Sequence, residues 1–142
     1  MYGWQVYDNI LAYAMWGLKS DFGGHHEVYS NNVLPYVGDC LSPLGDQHEY
    51  GFNDGFYNNS CIYRTSYTSD CFITRPSNWS GAGMEIHDNQ VFSQTGQTLV
   101  CNFTIPLSDW VAKGHDHGSV SSIWPKDEQL VEWIKEMLGY YF

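Results

Sequence analysis

The stretch GFYNNSCIY, residues 55–63, places two asparagines and a cysteine between residues that favour a β-strand. Similar stretches occur three more times, as VYDNILAY at 6–13, YSNNVLPY at 29–36 and IHDNQVFS at 86–93. They align without gaps on their second polar residue, and the aligned residues are Asn9, Asn32, Asn59 and Asn89. The chain therefore contains an internal repeat with spacings of 23, 27 and 30 residues.

A repeat of this length indicates a solenoid, in which each coil buries its apolar residues by stacking on its neighbours. Within each stretch the apolar residues lie two apart, which is the spacing of a strand and not of a helix. Asparagine is unfavourable inside a helix but common in turns, because it tolerates the left-handed backbone region and its amide bonds local backbone groups. Each coil is predicted to consist of short strands joined by turns.

The aligned asparagines are predicted to have a structural role. Stacked coils lie about 4.8 Å apart, so equivalent asparagine side chains can form hydrogen bonds with one another in a ladder. The Asn-Asn pair of GFYNNSCIY is then the corner of a β-coil and not a catalytic site.

Three features together resemble a known group of proteins. They are the asparagine corners, the recurring aromatic residues, and the stretch DWVAKGHDHGSVSSIWP (109–125) with a helical pattern after it. This combination resembles the C-terminal end of a right-handed parallel β-helix protein of the pectate-lyase-like superfamily, over about residues 6–125. The resemblance implies an all-β fold, a right-handed parallel β-helix of about four coils at 1–105. A closing segment and an amphipathic capping helix at 106–142 would complete the same domain.

The charge of the chain limits its partners. Sixteen acidic residues against six basic ones give a net charge of −10, which argues against nucleic acid or an anionic membrane. An anionic polysaccharide would also be repelled unless Ca²⁺ bridged the two, so the sequence predicts no cofactor except, at most, that cation. No apolar run approaches the roughly 20 residues that a membrane-spanning helix needs.

Cysteines and glycosylation motifs both indicate the extracellular space, so the chain is predicted to be secreted. Three Asn-X-Ser/Thr motifs begin at Asn58, Asn78 and Asn102. Cys71 and Cys101 each follow a ladder asparagine by 12 residues, which favours a bond between them and leaves Cys40 with Cys61. Four cysteines permit three pairings, and the other two stay open.

The two ends of the repeat differ. At the C-terminal end, residues 125–139 have an apolar stripe that predicts a helix covering the last coil, formed by Leu130, Trp133, Ile134, Met137 and Leu138. At the other end the first corner begins within six residues of Met1, and MYGWQVYDNILAY lacks the pattern of a signal peptide. The expectation is a processed or partial chain, or a second chain that covers the open coil.

Polar side chains with catalytic potential are concentrated in the loop LKSDFGGHHEVYS (18–30). In the resembling superfamily, active sites lie on an outer face of the coils or in adjacent loops and use carboxylates, Lys, Arg or Ca²⁺. A Lys or His can remove a proton beside a uronate carboxyl, and paired carboxylates can hydrolyse a glycosidic bond. The weak catalytic candidates are therefore Lys19, Asp21, His25, His26 and Glu27. The alternative is a loop whose side chains satisfy the turn backbone.

Other polar and aromatic groups are open to two interpretations. His115 and His117 in GHDHGS (114–119) would both face a metal only in an extended segment, whereas a turn after a short helix at about 107–113 is favoured. Glu85 and His87 would share one face of a strand, and Asp88 with Asp8 could add ligands, although the ladder already explains the aspartates. Three tyrosines in register predict either a platform for sugar rings or an internal stack: Tyr13, Tyr36 and Tyr63.

Two functions follow as expectations. The first is a secreted protein that binds or processes extracellular polysaccharide, as a polysaccharide lyase or glycoside hydrolase if it is an enzyme. The second is a non-catalytic structural or adhesive glycoprotein whose open N-terminal coil stacks on another β-helix chain, in a filament if the contacts do not close. Motifs for a serine nucleophile, a nucleotide phosphate or a paired-cysteine zinc site do not occur.

Overall fold

Short β-strands dominate the fold of this protein. The computed structural model describes residues 3–20, 26–43, 54–64, 84–100 and 105–140, with the backbone alone at 19–20 and 42–43. The elements are β1 Gln5–Tyr7, β2 Trp16–Ser20, β3 Val28–Ser30, β4 Val33–Val37, β5 Asp39–Pro43, β6 Asp54–Tyr57, β7 Ser60–Tyr63, β8 Met84–His87, β9 Gln90–Ser93, β10 Leu99–Val100, β11 Ile105–Pro106, α1 Leu107–Ala112, β12 Val120–Ile123 and α2 Asp127–Met137. The fold is thus mostly β, and neither of these helices is long and apolar enough to span a bilayer.

Successive repeats of the sequence supply neighbouring strands of two parallel sheets. The first sheet has the order β1-β3-β6-β8 and the second the order β4-β7-β9-β12. In the first sheet the register pairs the apolar residue of each repeat with the equivalent residue of the next repeat, so Tyr29 lies between Val6 and Phe56. Strands β2 and β5 form a further parallel pair, whereas β10 and β11 are antiparallel.

A two-residue corner connects the first sheet to the second in each repeat. Its first residue has a positive φ of 55–56°, at Asp8, Asn31, Asn58 and Asp88. Asn and Asp tolerate this left-handed conformation better than other residues with a Cβ atom, which explains the residue types that recur there. The corner chemistry of the sequence therefore determines where the chain turns.

The second corner residue forms the asparagine ladder. Asn32 donates from its backbone N and its Nδ2 to Oδ1 of Asn59, each over 3.0 Å, and Asn59 does the same to Asn89 over 3.0 and 3.1 Å. Asn9 is joined to Asn32 in the same way, over 3.1 Å for both bonds. Asn32, Asn59 and Asn89 are at most 1% exposed, so the ladder supplies the partners that buried amides require.

A fifth corner continues the repeat beyond the four that the sequence shows. Gly118 has a φ of 73°, and Oγ of the following Ser119 accepts a hydrogen bond from the backbone N of Asn89, 3.2 Å away. Strand β12 then pairs with β9 in the expected register, Val120 opposite Gln90. Gly-Ser provides the same backbone turn as Asn-Asn without an amide, so this corner does not share the sequence pattern of the other four.

The main apolar core lies between the sheets and is built from inward side chains of several repeats. It includes Leu34, Phe56, Cys61 and Val91, all of them without exposed surface. A disulfide joins Cys40 of β5 to Cys61 of β7 through this core, with Cα atoms 5.9 Å apart. Cys71 and Cys101 lie outside the described residues.

Helix α1 contributes to this core through Leu107 and Trp110, which are 1% and 9% exposed. Helix α2 has a different location from the predicted one. Its apolar residues pack in a second cluster with one residue each from β4, β7 and β9, namely Val33, Ile62 and Phe92. The helix therefore lies along the side of the second sheet and does not cover the last coil. Leu138, predicted in its apolar stripe, is 57% exposed.

Candidate functional site

The outer face of the first sheet carries two columns of aligned side chains. Because side chains alternate between the faces of a strand, the neighbours of the inward core residues point outward. One column contains Tyr7, Ser30, Tyr57 and His87, and the other contains Gln5, Val28, Gly55 and Glu85. Aromatic, imidazole and carboxylate groups thus share one face of a sheet that has a buried core behind it.

Two rings in the first column stack on each other. The rings of Tyr57 and His87 have centroids 4.8 Å apart and planes only 6° from parallel. The tyrosine ring also lies over Gly55, where an added Cβ atom would be 2.9 Å from Cε1 of Tyr57. Glycine at position 55 therefore provides the space that the ring occupies.

The imidazole of His87 is held by a second contact. Its Nδ1 lies 2.8 Å from Oδ2 of Asp88, whose backbone N donates to the carbonyl of His117 over 2.8 Å. Oδ1 of the same carboxylate occupies the space that a side chain at position 118 would need, which Gly118 leaves open. We call Tyr57, His87 and Asp88 the Tyr57–His87 site.

This arrangement leaves Nε2 of His87 directed away from both contacts. Among the described residues, none forms a hydrogen bond with that nitrogen. A carboxylate on Nδ1 favours the tautomer in which Nδ1 carries the proton and Nε2 carries the lone pair. The site can therefore accept a hydrogen bond or a proton from a ligand, with the exposed Glu85 on the same strand face. The sequence placed Glu85 and His87 on one face, but Asp8 lies at the opposite edge of the sheet from Asp88.

The predicted catalytic loop is only partly within the described residues. Asp21 and His25 lie outside them, as does the side chain of Lys19. His26 is exposed with a φ of 58°, whereas Glu27 is only 8% exposed. These two side chains do not converge on one surface.

Glu27 instead belongs to a buried polar group at the start of the strands. Its backbone N donates to Oδ1 of Asp54 over 2.8 Å, and its Oε2 accepts a hydrogen bond from the hydroxyl of Tyr29 over 2.8 Å. Asp54 is 1% exposed and Tyr29 is 5% exposed. Both carboxylates therefore lie on the inward side of the first sheet, away from its outer face.

The GHDHGS segment forms a turn. Gly114 N donates to the carbonyl of Val111 at the end of α1, and Ser119 N donates to the carbonyl of Asp116. The ring of His115 stacks on Trp110 with centroids 4.0 Å apart, while the carbonyl of His117 accepts the hydrogen bond from the backbone N of Asp88. Within the described parts of the chain, no three His, Cys, Asp or Glu side chains form a group that could hold a metal ion.

The three tyrosines predicted in register divide into two groups. Tyr13 and Tyr36 stack with centroids 5.3 Å apart, and both have positive φ angles. Tyr36 is a bulge, so Val37 and not Tyr36 pairs with Tyr63, which is 1% exposed in the core. The gapless alignment is therefore wrong by one residue at this position, and only Tyr13 and Tyr36 are available at the surface.

The pKa of Tyr36 is altered by its surroundings. Burial raises its pKa above 10.0, and the hydrogen bond from its hydroxyl to Asp127 Oδ1, 3.2 Å away, raises it further. This bond joins the bulge in β4 to the first turn of α2. Its role is to attach the helix to the sheet.

Asn58 is the one predicted glycosylation site within the described residues. Its side chain is exposed, since the ladder uses the following asparagine, so the corner does not bury the acceptor amide. Asn78 and Asn102 lie outside the described residues.

Sequence reasoning missed the importance of Tyr57 and Gly55. A signal was present, because Gly55 interrupts a strand and lies two residues before an aromatic residue, which is the pattern of a ring folded over a glycine. Searches of protein-family models, of characterised proteins and of solved structures found no match to this chain.

Proposed function

We propose that this chain is a secreted right-handed parallel β-helix protein, or the C-terminal part of one, that binds or processes extracellular polysaccharide at the Tyr57–His87 site. Support for the fold comes from the parallel strand order of both four-stranded sheets and from the asparagine ladder between them. Support for an extracellular location comes from the disulfide and from the exposed Asn58 within its glycosylation motif.

One observation carries the functional proposal. His87 is fixed by a parallel ring stack and by a carboxylate, on an exposed face, with one ring nitrogen directed outward. Binding sites depend on side chains whose positions are set before the ligand arrives, because less conformational entropy is then lost. Aromatic rings with adjacent hydrogen-bonding groups suit sugars, which have apolar C–H faces and polar rims.

The polysaccharide is either neutral or bridged by a cation. A net charge of −10 repels an anionic polymer, and Glu85 and Asp88 add negative charge at the site itself. If the polymer is a uronate, Ca²⁺ between its carboxylates and those of the protein would offset this repulsion. Binding to a uronate polymer should then disappear when a chelator removes Ca²⁺, whereas binding to a neutral polymer should not change.

A direct test compares variants of the site against a panel of neutral and anionic polysaccharides. His87→Gln keeps a polar side chain but removes the imidazole, and Tyr57→Leu removes the ring stack. We expect each to weaken binding at least tenfold while the far-ultraviolet circular dichroism stays unchanged. His115→Gln is the control, because that ring stacks on Trp110 outside the site. Equal binding by all four proteins would reject the site.

The same variants distinguish binding from processing. In an enzyme, Nε2 of His87 would act as a general base, so His87→Gln should abolish the release of shorter chains. Unsaturated products would indicate a lyase, and new reducing ends without unsaturation would indicate a hydrolase. Saturable binding without either product would indicate a binding protein.

A second candidate function is a non-catalytic structural or adhesive glycoprotein that assembles through its first repeat. It is favoured by exposed large apolar side chains in that repeat, among them Trp4, Tyr13 and Trp16 at 56%, 70% and 44%. Under this alternative, substitution of His87 changes neither binding nor assembly. The mass of the native particle, measured by light scattering, distinguishes an assembly from a monomer.

A further inference from the structure

The asparagine ladder has a direction, and it ends differently at its two ends. Asn9, Asn32 and Asn59 each donate two hydrogen bonds to Oδ1 of the asparagine in the following repeat. After Asn89, the Oγ of Ser119 accepts the backbone donor, and Ser119 N turns back to the carbonyl of Asp116, 3.0 Å away. The ladder therefore terminates at Ser119.

At its other end, at Asn9, the ladder has no such termination among the described residues. Within the described residues, nothing donates a hydrogen bond to Oδ1 of Asn9. Its Nδ2 bonds the carbonyl of Tyr7 in its own corner, 2.8 Å away, whereas Nδ2 of Asn32 and of Asn59 bonds a carbonyl in the preceding repeat. Asn9 has the acceptor of the ladder but lacks the two donors that every later member receives.

The strands beside Asn9 are also open on one side. Strand β1 pairs only with β3, and β2 only with β5, in the described part of the chain. Five of the eleven exposed large apolar residues found there belong to residues 4–16, namely Trp4, Tyr7, Tyr13, Met15 and Trp16. Unpaired strand edges with apolar side chains are surfaces on which another strand can add. We call β1, Asn9 and β2 the first-repeat edge.

We propose that the first-repeat edge binds one further parallel β-coil, supplied by a polypeptide segment other than these 142 residues, that has asparagine at its corner. The backbone N and Nδ2 of that asparagine would donate to Oδ1 of Asn9, as those of Asn9 donate to Asn32. This inference refines the assembly alternative and does not depend on the Tyr57–His87 site.

A second copy of this chain cannot reproduce the two ladder bonds at the same position. Head-to-tail stacking would bring Ser119 of one copy to Asn9 of the next, and Ser119 would offer only its hydroxyl, because it has no amide and its backbone N donates to Asp116. Helix α1 lies at that end as well, with Leu107 and Trp110 packed into the main core. The ladder chemistry therefore selects a partner with an asparagine corner and not the C-terminal end of another copy.

The test uses a synthetic peptide as the added coil. The peptide has the sequence of residues 54–64 with Cys61→Ser, so that it contains one complete corner. We expect saturable binding with one peptide per chain, measured by fluorescence anisotropy, and slower hydrogen exchange in residues 5–13. The same peptide with Asn59→Leu lacks the amide donor and should bind about tenfold more weakly, as expected for the loss of about one hydrogen bond.

Two variants of the chain test the acceptor. Asn9→Asp and Asn9→Leu both remove the Nδ2 donor to Asn32 and keep the backbone donor, but only Asn9→Asp keeps an acceptor oxygen in place. Asn9→Asp should bind the peptide as the natural chain does, and Asn9→Leu should bind about tenfold more weakly. His87→Gln should bind the peptide normally, so failure of this inference is distinguishable from failure of the polysaccharide site.

Three results would overturn the proposal. The first is equal binding of both peptides, which would indicate apolar adhesion without ladder recognition. The second is the absence of binding to a monomeric chain. The third is self-association of the chain that protects residues 5–13 from exchange, which would make a second copy the occupant of the edge.

Discussion

Asn59 and Asn89 are joined by two hydrogen bonds to one atom. The backbone N and the Nδ2 of Asn59 both donate to Oδ1 of Asn89, over 3.0 and 3.1 Å, and Nδ2 also donates to the carbonyl of Tyr29 over 3.0 Å. One side chain thus connects three successive repeats.

Replacement of Asn59 by Ala should destabilise the fold by about 2–5 kcal/mol, because it removes four hydrogen bonds of a buried amide and leaves buried partners unsatisfied. The measurement is unfolding in urea. Asn58→Gly is the matched control, since glycine keeps the positive φ and the side chain of Asn58 is exposed. It should cost about 1 kcal/mol or less. Similar losses for both variants would contradict a special role for the ladder.

Gly55→Ala should displace the ring of Tyr57 and separate it from His87, because the added Cβ atom would be 2.9 Å from Cε1 of the ring. Since a side-chain ring can move, we expect a stability loss of only about 1 kcal/mol, the value of one aromatic contact. The ring current of Tyr57 should then no longer displace the proton resonances of the His87 ring. Polysaccharide binding should weaken along with that shift, whereas Val28→Ala in the same outer column should leave both properties unchanged.

Asp88→Asn should impair the Tyr57–His87 site without impairing the corner. Asparagine already occupies the equivalent position at Asn31 and Asn58, so the backbone turn tolerates the change. If His87 acts as a base, turnover should fall at least tenfold when its carboxylate partner becomes an amide. Asp8→Asn makes the same change at the first corner and is the control. Equal activity of the two variants would exclude a role for Asp88 in positioning His87.

Alkaline pH should destabilise the contact between Tyr36 and Asp127. The pKa of Tyr36 is higher in the folded chain than its ordinary value of 10.0, because burial and the hydrogen bond to Asp127 favour the protonated form. Above pH 10.0 the unfolded chain can release this proton while the folded chain retains it. The contribution is thus complete below pH 10.0 and is lost as the pH rises through the folded pKa.

Urea unfolding at neutral pH and above pH 10.0 measures this effect. Tyr36→Phe lacks the hydroxyl, so its stability should decrease less steeply with alkaline pH than that of the natural chain. Tyr140→Phe serves as a control at an exposed tyrosine. A parallel decrease for Tyr36→Phe and the natural chain would show that other groups dominate the alkaline transition.

Removal of the Cys40–Cys61 bond should lower the free energy of unfolding by about 3 kcal/mol, since it closes a loop with a sequence separation of 21 residues. The double variant Cys40→Ala and Cys61→Ala provides the measurement, and Cys40→Ala alone would leave a reactive thiol. Retention of the parallel strand pairing can be followed by circular dichroism. An unchanged midpoint of the unfolding transition would mean that the core alone determines stability in this region.

The ladder was predictable from the sequence, because asparagine is needed both for the turn and for bonds between repeats. The fifth corner was not, since Gly118 and Ser119 provide the turn and the acceptor without asparagine. The apolar stripe of α2 was also visible, but amphipathicity does not specify which surface a helix covers. Contacts with Val33, Ile62 and Phe92 decide that, and they bring together residues about 30 to 100 positions apart from the helix in the chain.

The candidate site was harder to predict than the fold. Strand alternation placed Glu85 and His87 on one face, but the stack of Tyr57 on His87 depends on pairing between β6 and β8. The loop that contains Glu27 is more polar than the strands of the site, and for that reason the catalytic residues were predicted there. In the structure Glu27 is buried beside Tyr29 and Asp54, because residues at odd positions of that strand face inward.

The spacing of the repeat has a consequence for how this chain tolerates length changes. The interval between ladder asparagines grows from 23 to 30 residues, yet apart from the bulge at Tyr36 in β4 the strands on both sides of each corner keep their register. Apart from that bulge residue, the added residues therefore lie outside the corner and its two flanking strands. Insertions in those intervening arcs should accumulate freely over evolution. A single-residue insertion within a corner would instead turn every side chain of the adjoining strand to the opposite face of the sheet. The arcs are accordingly the natural positions for new loops or grafted peptides.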